Sequence, residues 1–272
     1  MHAVAPAMTA NDPLLRHEKR DGIAVFTLSQ PGSRNSLSHA MLDELIAAFA
    51  AVGADQAVRA VILAAEGPAF CSGHDLKELT AHRADRDGGR GFFTSTWERC
   101  GTMMQSIVRL PQPVIACVQG AAVAAGCQLV ASCDLAVASA GATFSTPGVN
   151  IGLFCSSPMV PLSRNVARKH AMEMLLTGDM LSAPDALRIG LVNRVVPAGD
   201  ERPEALRLGG RIASKSPAAI AIGKKAFHAQ IEMGLADAYD YTSRIMVENM
   251  LNPDAKEGIG AFLAKRAPKW NQ

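Results

Sequence analysis

Short runs of apolar residues alternate with longer amphipathic stretches up to about residue 200 of the chain. Glycine, proline or polar residues bound each run, which is the pattern of buried strands. The runs predict strands at Ile23–Leu28, Ala60–Ala65, Val114–Val118, 134–138 and 191–196. The run Ala60–Ala65 is apolar throughout, which favours a strand that is covered on both faces of its sheet.

The amphipathic stretches predict helices between those strands. Ser38 is typical of an N-cap, and apolar residues follow it at helical spacing: Met41, Leu42, Leu45, Ile46 and Phe49. Further helices are predicted at 92–110, 127–132, 157–167 and 169–176, and another begins within 182–186. Alternating strands and helices are typical of an α/β core that is built from crossover units.

The two ends of the chain depart from this alternation. No strand-like run follows Glu201, and the predicted helices there are separated by breakers at Ser216-Pro217, Gly234 and Asn252-Pro253. We therefore expect a flexible N-terminal tail at 1–20, an α/β core at 21–200 and a C-terminal helical region at 201–272. The apolar faces of the C-terminal helices need a cover, either the core or another subunit.

Composition narrows the class of protein. The 272 residues are 49% hydrophobic and 19% charged with a formal net charge of +2, which is typical of a soluble globular protein and predicts no nucleic-acid partner. No run approaches a membrane span, and the N-terminus resembles neither a secretory signal nor a transit peptide. The six cysteines lack a CxxC pair, so we interpret them as reduced, buried residues of an intracellular protein.

The central segment 113–152 contains the first candidate for chemistry. Residues 120–126 (Gly-Ala-Ala-Val-Ala-Ala-Gly) carry almost no side-chain bulk, so another group can approach the main chain closely. They lead into a helix, whose first N–H groups have no partner within the helix. This arrangement fits either an anion, including an oxygen that becomes anionic in a reaction, or a tightly packed helix that binds no ligand.

A second turn of this kind is Phe70-Cys-Ser-Gly-His-Asp75, between a strand and a helix. If the fold brings the two turns together, two main-chain N–H groups donate hydrogen bonds to one oxygen and form an oxyanion hole. The alternative is that both are merely tight turns. The motifs GxGxxG, GxxxxGKS/T and GxSxG are absent, and the seven histidines are not spaced for a metal, so we expect no metal site.

Several segments, in order from about Ile23 to Trp270, resemble the enoyl-CoA hydratase/isomerase (crotonase) superfamily. They are Arg34-Asn-Ser-Leu, Ala69-Phe-Cys-Ser-Gly-His-Asp-Leu-Lys-Glu, Pro113-Val-Ile-Ala-Cys-Val-Gln-Gly, Ala125-Gly-Cys-Gln-Leu-Val-Ala-Ser-Cys-Asp, Phe144-Ser-Thr-Pro-Gly-Val-Asn-Ile-Gly and Glu257-Gly-Ile-Gly-Ala-Phe-Leu-Ala-Lys-Arg. The resemblance is strongest to the branch of enoyl-CoA hydratase domain-containing proteins.

This resemblance implies a fold, a ligand and an assembly. The fold is a crotonase-like spiral of ββα units with a C-terminal α-helical trimerisation region, and the assembly is a homotrimer or a dimer of trimers. The ligand is an acyl-CoA thioester of fatty acid metabolism, with coenzyme A as part of the substrate and no separate cofactor. Its carbonyl oxygen lies between the backbone N–H groups of His74 and Ala125. The resemblance places the protein in the cytoplasm, or in the mitochondrial matrix if the source is eukaryotic.

The resemblance also implies contacts to coenzyme A. Arg34 and Lys77 are expected near the CoA nucleotide, and Phe262 and Lys265 reach its adenine end, from a neighbouring subunit if the assembly places them there. Residues 92–104 and the charged, glycine-rich segment 81–91, which we expect to be a mobile surface loop, are predicted to form the wall of the acyl pocket.

The sequence departs from the family pattern at two positions. Hydratases of this family use two glutamates, whereas this chain has Gln128 and Gly148 there; Ala125 also replaces the usual glycine of the second oxyanion position. Glutamine orients a water but takes no proton near neutral pH, and each general acid or base contributes about 10² to 10⁴ in rate. Ordinary hydration is therefore not expected. Restoring both glutamates is expected to raise it if the pocket is otherwise intact.

Three hypotheses remain. In the first, the oxyanion hole stabilises an enolate that forms without a protein base, as in decarboxylation of a malonyl-type CoA; the segment around His74 resembles that of methylmalonyl-CoA decarboxylases. In the second, Cys155, Asp75 or His74 supplies the acid–base chemistry. In the third, the protein is a CoA-thioester binding module with little activity.

Overall fold

Ten strands form two sheets in the computed structural model, which describes residues 13–271. The larger sheet has the order β1-β2-β3-β5-β7-β10 and the smaller sheet the order β4-β6-β8-β9. The strands are β1 Leu15–Arg20, β2 Ile23–Leu28, β3 Ala60–Ala65, β4 Ala69–Cys71, β5 Val114–Val118, β6 Ala121–Val123, β7 Leu135–Ser139, β8 Thr143–Ser145, β9 Leu181–Ser182 and β10 Arg194–Val196. All pairs are parallel except β1–β2 and β8–β9.

Eleven α-helices connect or follow these strands within the described part of the chain. They are α1 His39–Ala54, α2 Leu76–Ala81, α3 Arg90–Arg109, α4 Ala125–Ser132, α5 Met159–Asn165, α6 Arg168–Thr177, α7 Ala183–Arg188, α8 Glu201–Ala213, α9 Pro217–Gln230, α10 Leu235–Leu251 and α11 Pro253–Leu263. None of the helices in this range is long and apolar enough to cross a membrane.

The same unit occurs three times along the core. A strand of the larger sheet is followed by a strand of the smaller sheet and then by a helix: β3–β4–α2, β5–β6–α4 and β7–β8–α5. The predicted α/β class is therefore confirmed, including its ββα units. In each unit the second strand is followed by a turn that leads into a helix or a 3-10 helix. Because β4, β6 and β8 are neighbours in the smaller sheet, the turns that follow them come after adjacent strands.

The apolar strands are buried because both faces of the larger sheet are covered. Ile23 and Val25 of β2 pack in a cluster with Ala205 and Leu208 of α8, whereas the alternate residues belong to the main core. Side chains alternate between the two faces along a strand, so a strand that is apolar throughout serves two cores. The first helix after residue 200 therefore covers the core sheet, and the predicted boundary at 200/201 separates α8 from the sheet on which it packs.

The predicted flexible tail at 1–20 is wrong for its last six residues. Leu15–Arg20 forms β1, which pairs antiparallel with β2 from Leu15↔Leu28 to Arg20↔Ile23. Only Leu15 of this strand is buried, so the hydrophobic pattern does not reveal it; its partner β2 defines it. The rest of the predicted tail, up to residue 12, lies outside the described residues.

The segment 81–91 is more regular than a loop. It contains the end of α2, a 3-10 turn at His82–Ala84 and the start of α3 at Arg90. The Asp87 carboxylate accepts hydrogen bonds from the N–H groups of Gly89 (2.9 Å) and Gly91 (2.7 Å). These bonds fix the entry into α3, the helix that lies beside the candidate site.

Candidate functional site

The turn after β4 is held by the segment before α1. The N–H of Leu37 donates to the carbonyl of Gly73 (2.8 Å), and the N–H of Asp75 donates to the carbonyl of Leu37 (3.4 Å). This is a parallel bridge between Leu37 and His74. In such a bridge the residues before and after the paired one bond to the partner, and the paired residue directs its own N–H to the other side. The N–H of His74 therefore points away from Leu37.

The turn after β6 has an unusual main chain. Ala124 has φ 51° and ψ −115°, a conformation that a side chain disfavours. Its N–H donates to the carbonyl of Ser145 (2.8 Å), which ties it to the end of β8. Helix α4 begins at the next residue, Ala125, two residues before the predicted start of this helix. Ala125 therefore lies at the first helical position, where an N–H has no partner inside the helix.

The two turns lie against each other through glycines. A Cβ added to Gly73 would lie 3.0 Å from Ala124 Cβ and 3.3 Å from the nitrogen of Ala125, and Gly73 has φ 93°. A Cβ on Gly126 would lie 2.1 Å from the carbonyl oxygen of Cys71. Only residues without a side chain allow this approach. Within residues 13–271, the N–H groups of His74 and Ala125 donate no hydrogen bond.

Gln128 occupies a buried position on α4. Its side chain is 4% exposed, and its Oε1 accepts a weak hydrogen bond from the Cys100 thiol of α3 (3.8 Å). Burial raises the pKa of the Cys100 thiol to about 12, so it stays protonated near neutral pH. This position thus holds a neutral amide beside a neutral thiol, and neither takes a proton from water.

The space beside Gly148 is filled by a neighbouring loop. A Cβ added to Gly148 would lie 2.7 Å from the carbonyl oxygen of Leu153 and 2.9 Å from Cys155 Sγ. The N–H of Leu153 also donates to the carbonyl of Gly148 (2.9 Å), which fixes the loop there. The pocket is therefore not intact at this position, contrary to the condition under which restored glutamates were expected to raise hydration.

The three candidates for substitute acid–base chemistry are engaged or neutral. Asp75 caps α2, since its Oδ1 accepts from the N–H groups of Lys77 (2.9 Å) and Glu78 (3.2 Å). Burial raises the pKa of the Cys155 thiol. Burial also lowers the pKa of His74 from 6.5 to about 4, so its ring is neutral at pH 7.

The four residues expected to contact coenzyme A fall into two groups. Arg34 and Lys77 are exposed and flank the Gly73 turn: the carbonyl of Arg34 accepts from the N–H of Ser72 (3.0 Å), and Lys77 is the second residue of α2. Phe262 is 82% exposed near the end of α11, and Lys265 follows it. No hydrogen bond or ion pair of the described residues connects this second group with the turn.

The sequence predicts that residues 92–104 line the acyl pocket, but it does not single out the two residues of α3 that contact the site. Trp97 packs edge-on against the His74 ring, with centroids 4.6 Å apart, and Cys100 contacts Gln128. These two residues are three positions apart, so they share one helix face. The helical spacing within 92–110 was the signal that could have placed both beside the site.

Comparison with known proteins finds relatives that match almost the whole chain. The family model described as enoyl-CoA hydratase/isomerase matches residues 18–272. Rat mitochondrial enoyl-CoA hydratase domain-containing protein 3 is 46% identical over 267 residues, which cover 98% of this chain and 87% of that protein. The crystal structure of an enoyl-CoA hydratase from Mycobacterium smegmatis matches with a TM-score of 0.91 at 49% identity, covering 96% of this chain and 100% of that chain. The crystal structure of human enoyl Coenzyme A hydratase domain-containing protein 3 matches with a TM-score of 0.90 at 46% identity. The match covers 95% of this chain and 100% of that chain.

Proposed function

Because the chain belongs to the enoyl-CoA hydratase/isomerase family, we propose that it binds an acyl-CoA thioester and stabilises the enolate of that thioester in a main-chain oxyanion hole. The observation that carries the proposal is the contact of Gly73 with Ala124 and Ala125, which brings two turns together while the N–H groups of His74 and Ala125 have no partner in residues 13–271. Two such donors suit one oxygen on which negative charge develops.

The main-chain donors supply the larger share of the proposed chemistry. A donor aimed at a developing oxyanion contributes about 10² to 10³ in rate where it has been removed in other enzymes. The N–H of Ala125 also lies at the first position of α4, so the partial positive charge of the helix N-terminus adds to the stabilisation. These donors need no ionisable side chain, so they act equally well with neutral neighbours.

Ordinary hydration is not part of this proposal. Water addition needs a group that takes a proton and another that gives one. Gln128 and Gly148 supply neither, and the loop at Leu153–Cys155 leaves no room for a side chain at residue 148. Stabilisation of an enolate and simple binding are the two activities that survive these changes.

Coenzyme A is proposed to bind through charges next to the first turn. Arg34 and Lys77 are exposed on either side of it and attract the phosphates, and Phe262 and Lys265 contact the adenine end from a neighbouring subunit. A homotrimer or a dimer of trimers fits the exposed apolar side chains of α10 and α11, among them Leu235, Met250, Leu251 and Leu263. The rat relative is named as a mitochondrial protein. For this chain the mitochondrial matrix is proposed if its source is eukaryotic, and the cytoplasm otherwise.

A malonyl-type CoA decarboxylase is the second candidate. In that reaction the bond between C2 and the carboxylate breaks, carbon dioxide leaves, and the electron pair forms the enolate, which water then protonates. No protein base is needed, and a pocket whose two acid–base positions hold Gln128 and Gly148 presents no carboxylate there to repel the carboxylate of the substrate. A CoA-thioester binding module of low activity needs the same donors.

One experiment separates these candidates. The protein is incubated with crotonyl-CoA, malonyl-CoA and methylmalonyl-CoA, products are followed by mass spectrometry, and binding is titrated in parallel. We expect thioester binding without robust hydration of crotonyl-CoA. Loss of carbon dioxide from either malonyl-type substrate favours the decarboxylase, and tight binding without turnover favours the binding module. Absence of both binding and turnover would contradict the proposal.

A further inference from the structure

We infer that the imidazole of His74 is a positioning group for its own main-chain N–H: by donating to the carbonyl of Leu37, the ring locks the turn that leaves this N–H free for the thioester oxygen. The inference rests on the proposed function, and it assigns to the side chain a role separate from that of the backbone.

The contacts around Leu37 support this role. Leu37 bonds to the carbonyl of Gly73 and to the N–H of Asp75, which are the main-chain groups on either side of His74. The ring of His74 adds a third bond, from Nδ1 to the carbonyl oxygen of Leu37 (3.3 Å). Three bonds to one residue fix both the position and the rotation of the turn. None of these three bonds uses the N–H of His74.

The second ring nitrogen indicates that the ring lowers the stability of the folded protein. A carbonyl oxygen only accepts, so Nδ1 carries the proton and Nε2 of the neutral ring is a bare acceptor. Nε2 is buried without a partner among the described residues, and the ring lies edge-on to Trp97. A buried polar atom without a partner costs about 1–3 kcal/mol. An apolar side chain of similar size avoids this cost but makes no bond to Leu37.

Two substitutions separate the packing of the ring against Trp97 from its hydrogen bond to Leu37. His74→Leu keeps much of the packing against Trp97 and removes both nitrogens, and the carbonyl of Leu37 still accepts from Asp75. His74→Asn keeps a donor near the place of Nδ1 and loses the aromatic packing. If the ring acts through stability alone, the variant with the lower melting temperature also binds the thioester more weakly. If the ring positions the N–H, thioester binding and melting temperature change independently of each other.

The experiment measures thioester preference and melting temperature in the same variants. Preference is the Kd for free CoA divided by the Kd for butyryl-CoA, and carbon NMR of carbonyl-labelled butyryl-CoA reports hydrogen bonding to the thioester oxygen. His170→Leu, at a partly exposed histidine on α6, is the matched control. For His74→Leu we expect an unchanged or higher Tm, a roughly tenfold loss of preference, which corresponds to about 1.4 kcal/mol, and a smaller carbonyl shift. For His74→Asn we expect a lower Tm and a preference close to that of the unmodified protein.

The outcomes are distinct. If the unmodified protein binds butyryl-CoA no better than CoA, the proposed function fails and the inference fails with it. If it prefers butyryl-CoA and His74→Leu keeps the preference and the carbonyl shift, the inference is overturned while the proposed function stands. Loss of preference in both variants in proportion to their Tm also overturns it, because the ring then acts through stability alone.

Discussion

The candidate site consists of two halves that are built in different ways. The amide half comprises the turns at Gly73–His74 and Ala124–Ala125, and its geometry depends on main-chain contacts that exclude any side chain at Gly73 and Gly126. The side-chain half comprises Gln128, Gly148 and Cys155, and its groups are neutral and closely packed. Main-chain contacts and the ring of His74, which is neutral at pH 7, place the N–H groups of the amide half. We therefore expect that the side-chain half can lack acid–base groups without moving these donors.

Gly126→Ala tests the amide half most severely. Its Cβ would lie 2.1 Å from the carbonyl oxygen of Cys71, so the two turns must separate. We expect a loss of about 3 kcal/mol or more in the free energy of unfolding, together with loss of thioester binding, measured by denaturant unfolding and titration. Gly101→Ala on α3 is the control, because nothing lies within 4 Å of its added Cβ. We expect the control to stabilise the protein by up to about 1 kcal/mol. Equal effects would show that the contact at Gly126 is unimportant.

Restoring both glutamates tests the side-chain half. We expect Gln128→Glu with Gly148→Glu to give no gain in crotonyl-CoA hydration, because the loop at Leu153–Cys155 occupies the space of the new side chain. Overpacking of this kind costs about 1–3 kcal/mol. The measurement is hydration rate and unfolding free energy, with Gln128→Glu alone as the matched variant. A large gain in hydration by the double variant contradicts our description of this half.

The neutral ring of His74 predicts a dependence of stability on pH. Its pKa is lowered to about 4 in the folded protein from an ordinary 6.5, so the unfolded chain binds more protons between these values and stability falls as pH drops through this window. Between pH 7 and pH 5 the contribution is about 2 kcal/mol. The difference in unfolding free energy between the unmodified protein and His74→Leu should therefore change by this amount over that range. A constant difference would mean that the ring is not buried in solution.

Removing a charge at the proposed CoA site should have the smallest effect of these substitutions on ligand binding. We expect Arg34→Gln and Lys77→Gln each to weaken binding of free CoA several-fold at low salt and less at high salt, because exposed charges interact by up to about 1 kcal/mol and are screened. Titrations at two salt concentrations measure this, with Lys169→Gln, an exposed lysine of α6, as the control. Equal losses in the control would remove the two residues from the proposed CoA site.

The sequence predicts the buried strands well and the short or exposed ones poorly. Strands such as Ala60–Ala65 are covered on both faces, so their whole sequence is apolar. The strands β4, β6 and β8 have three residues each and no distinctive pattern, and β1 is polar along an exposed edge. Pairing with neighbours defines these elements, and a pattern within one segment does not contain that information.

The same difference applies to the candidate site. The small residues at 120–126 and around Gly73 identify both turns, because close approach of main chains requires them. The loop from Leu153 to Cys155 beside Gly148, and the thiol of Cys100 beside Gln128, depend on how distant segments pack. The spacing of small residues in the sequence therefore locates the two turns. Which groups pack beside Gln128 and Gly148 can be seen only in the folded structure.

The most direct test observes the two amides themselves. NMR of the assigned protein follows the N–H groups of His74 and Ala125 during addition of butyryl-CoA and, separately, of free CoA. We predict that both amide protons shift strongly downfield with the thioester and little with CoA alone, since only the thioester carries the oxygen that they are proposed to bind. If neither amide responds to the thioester although it binds, the oxyanion hole is contradicted.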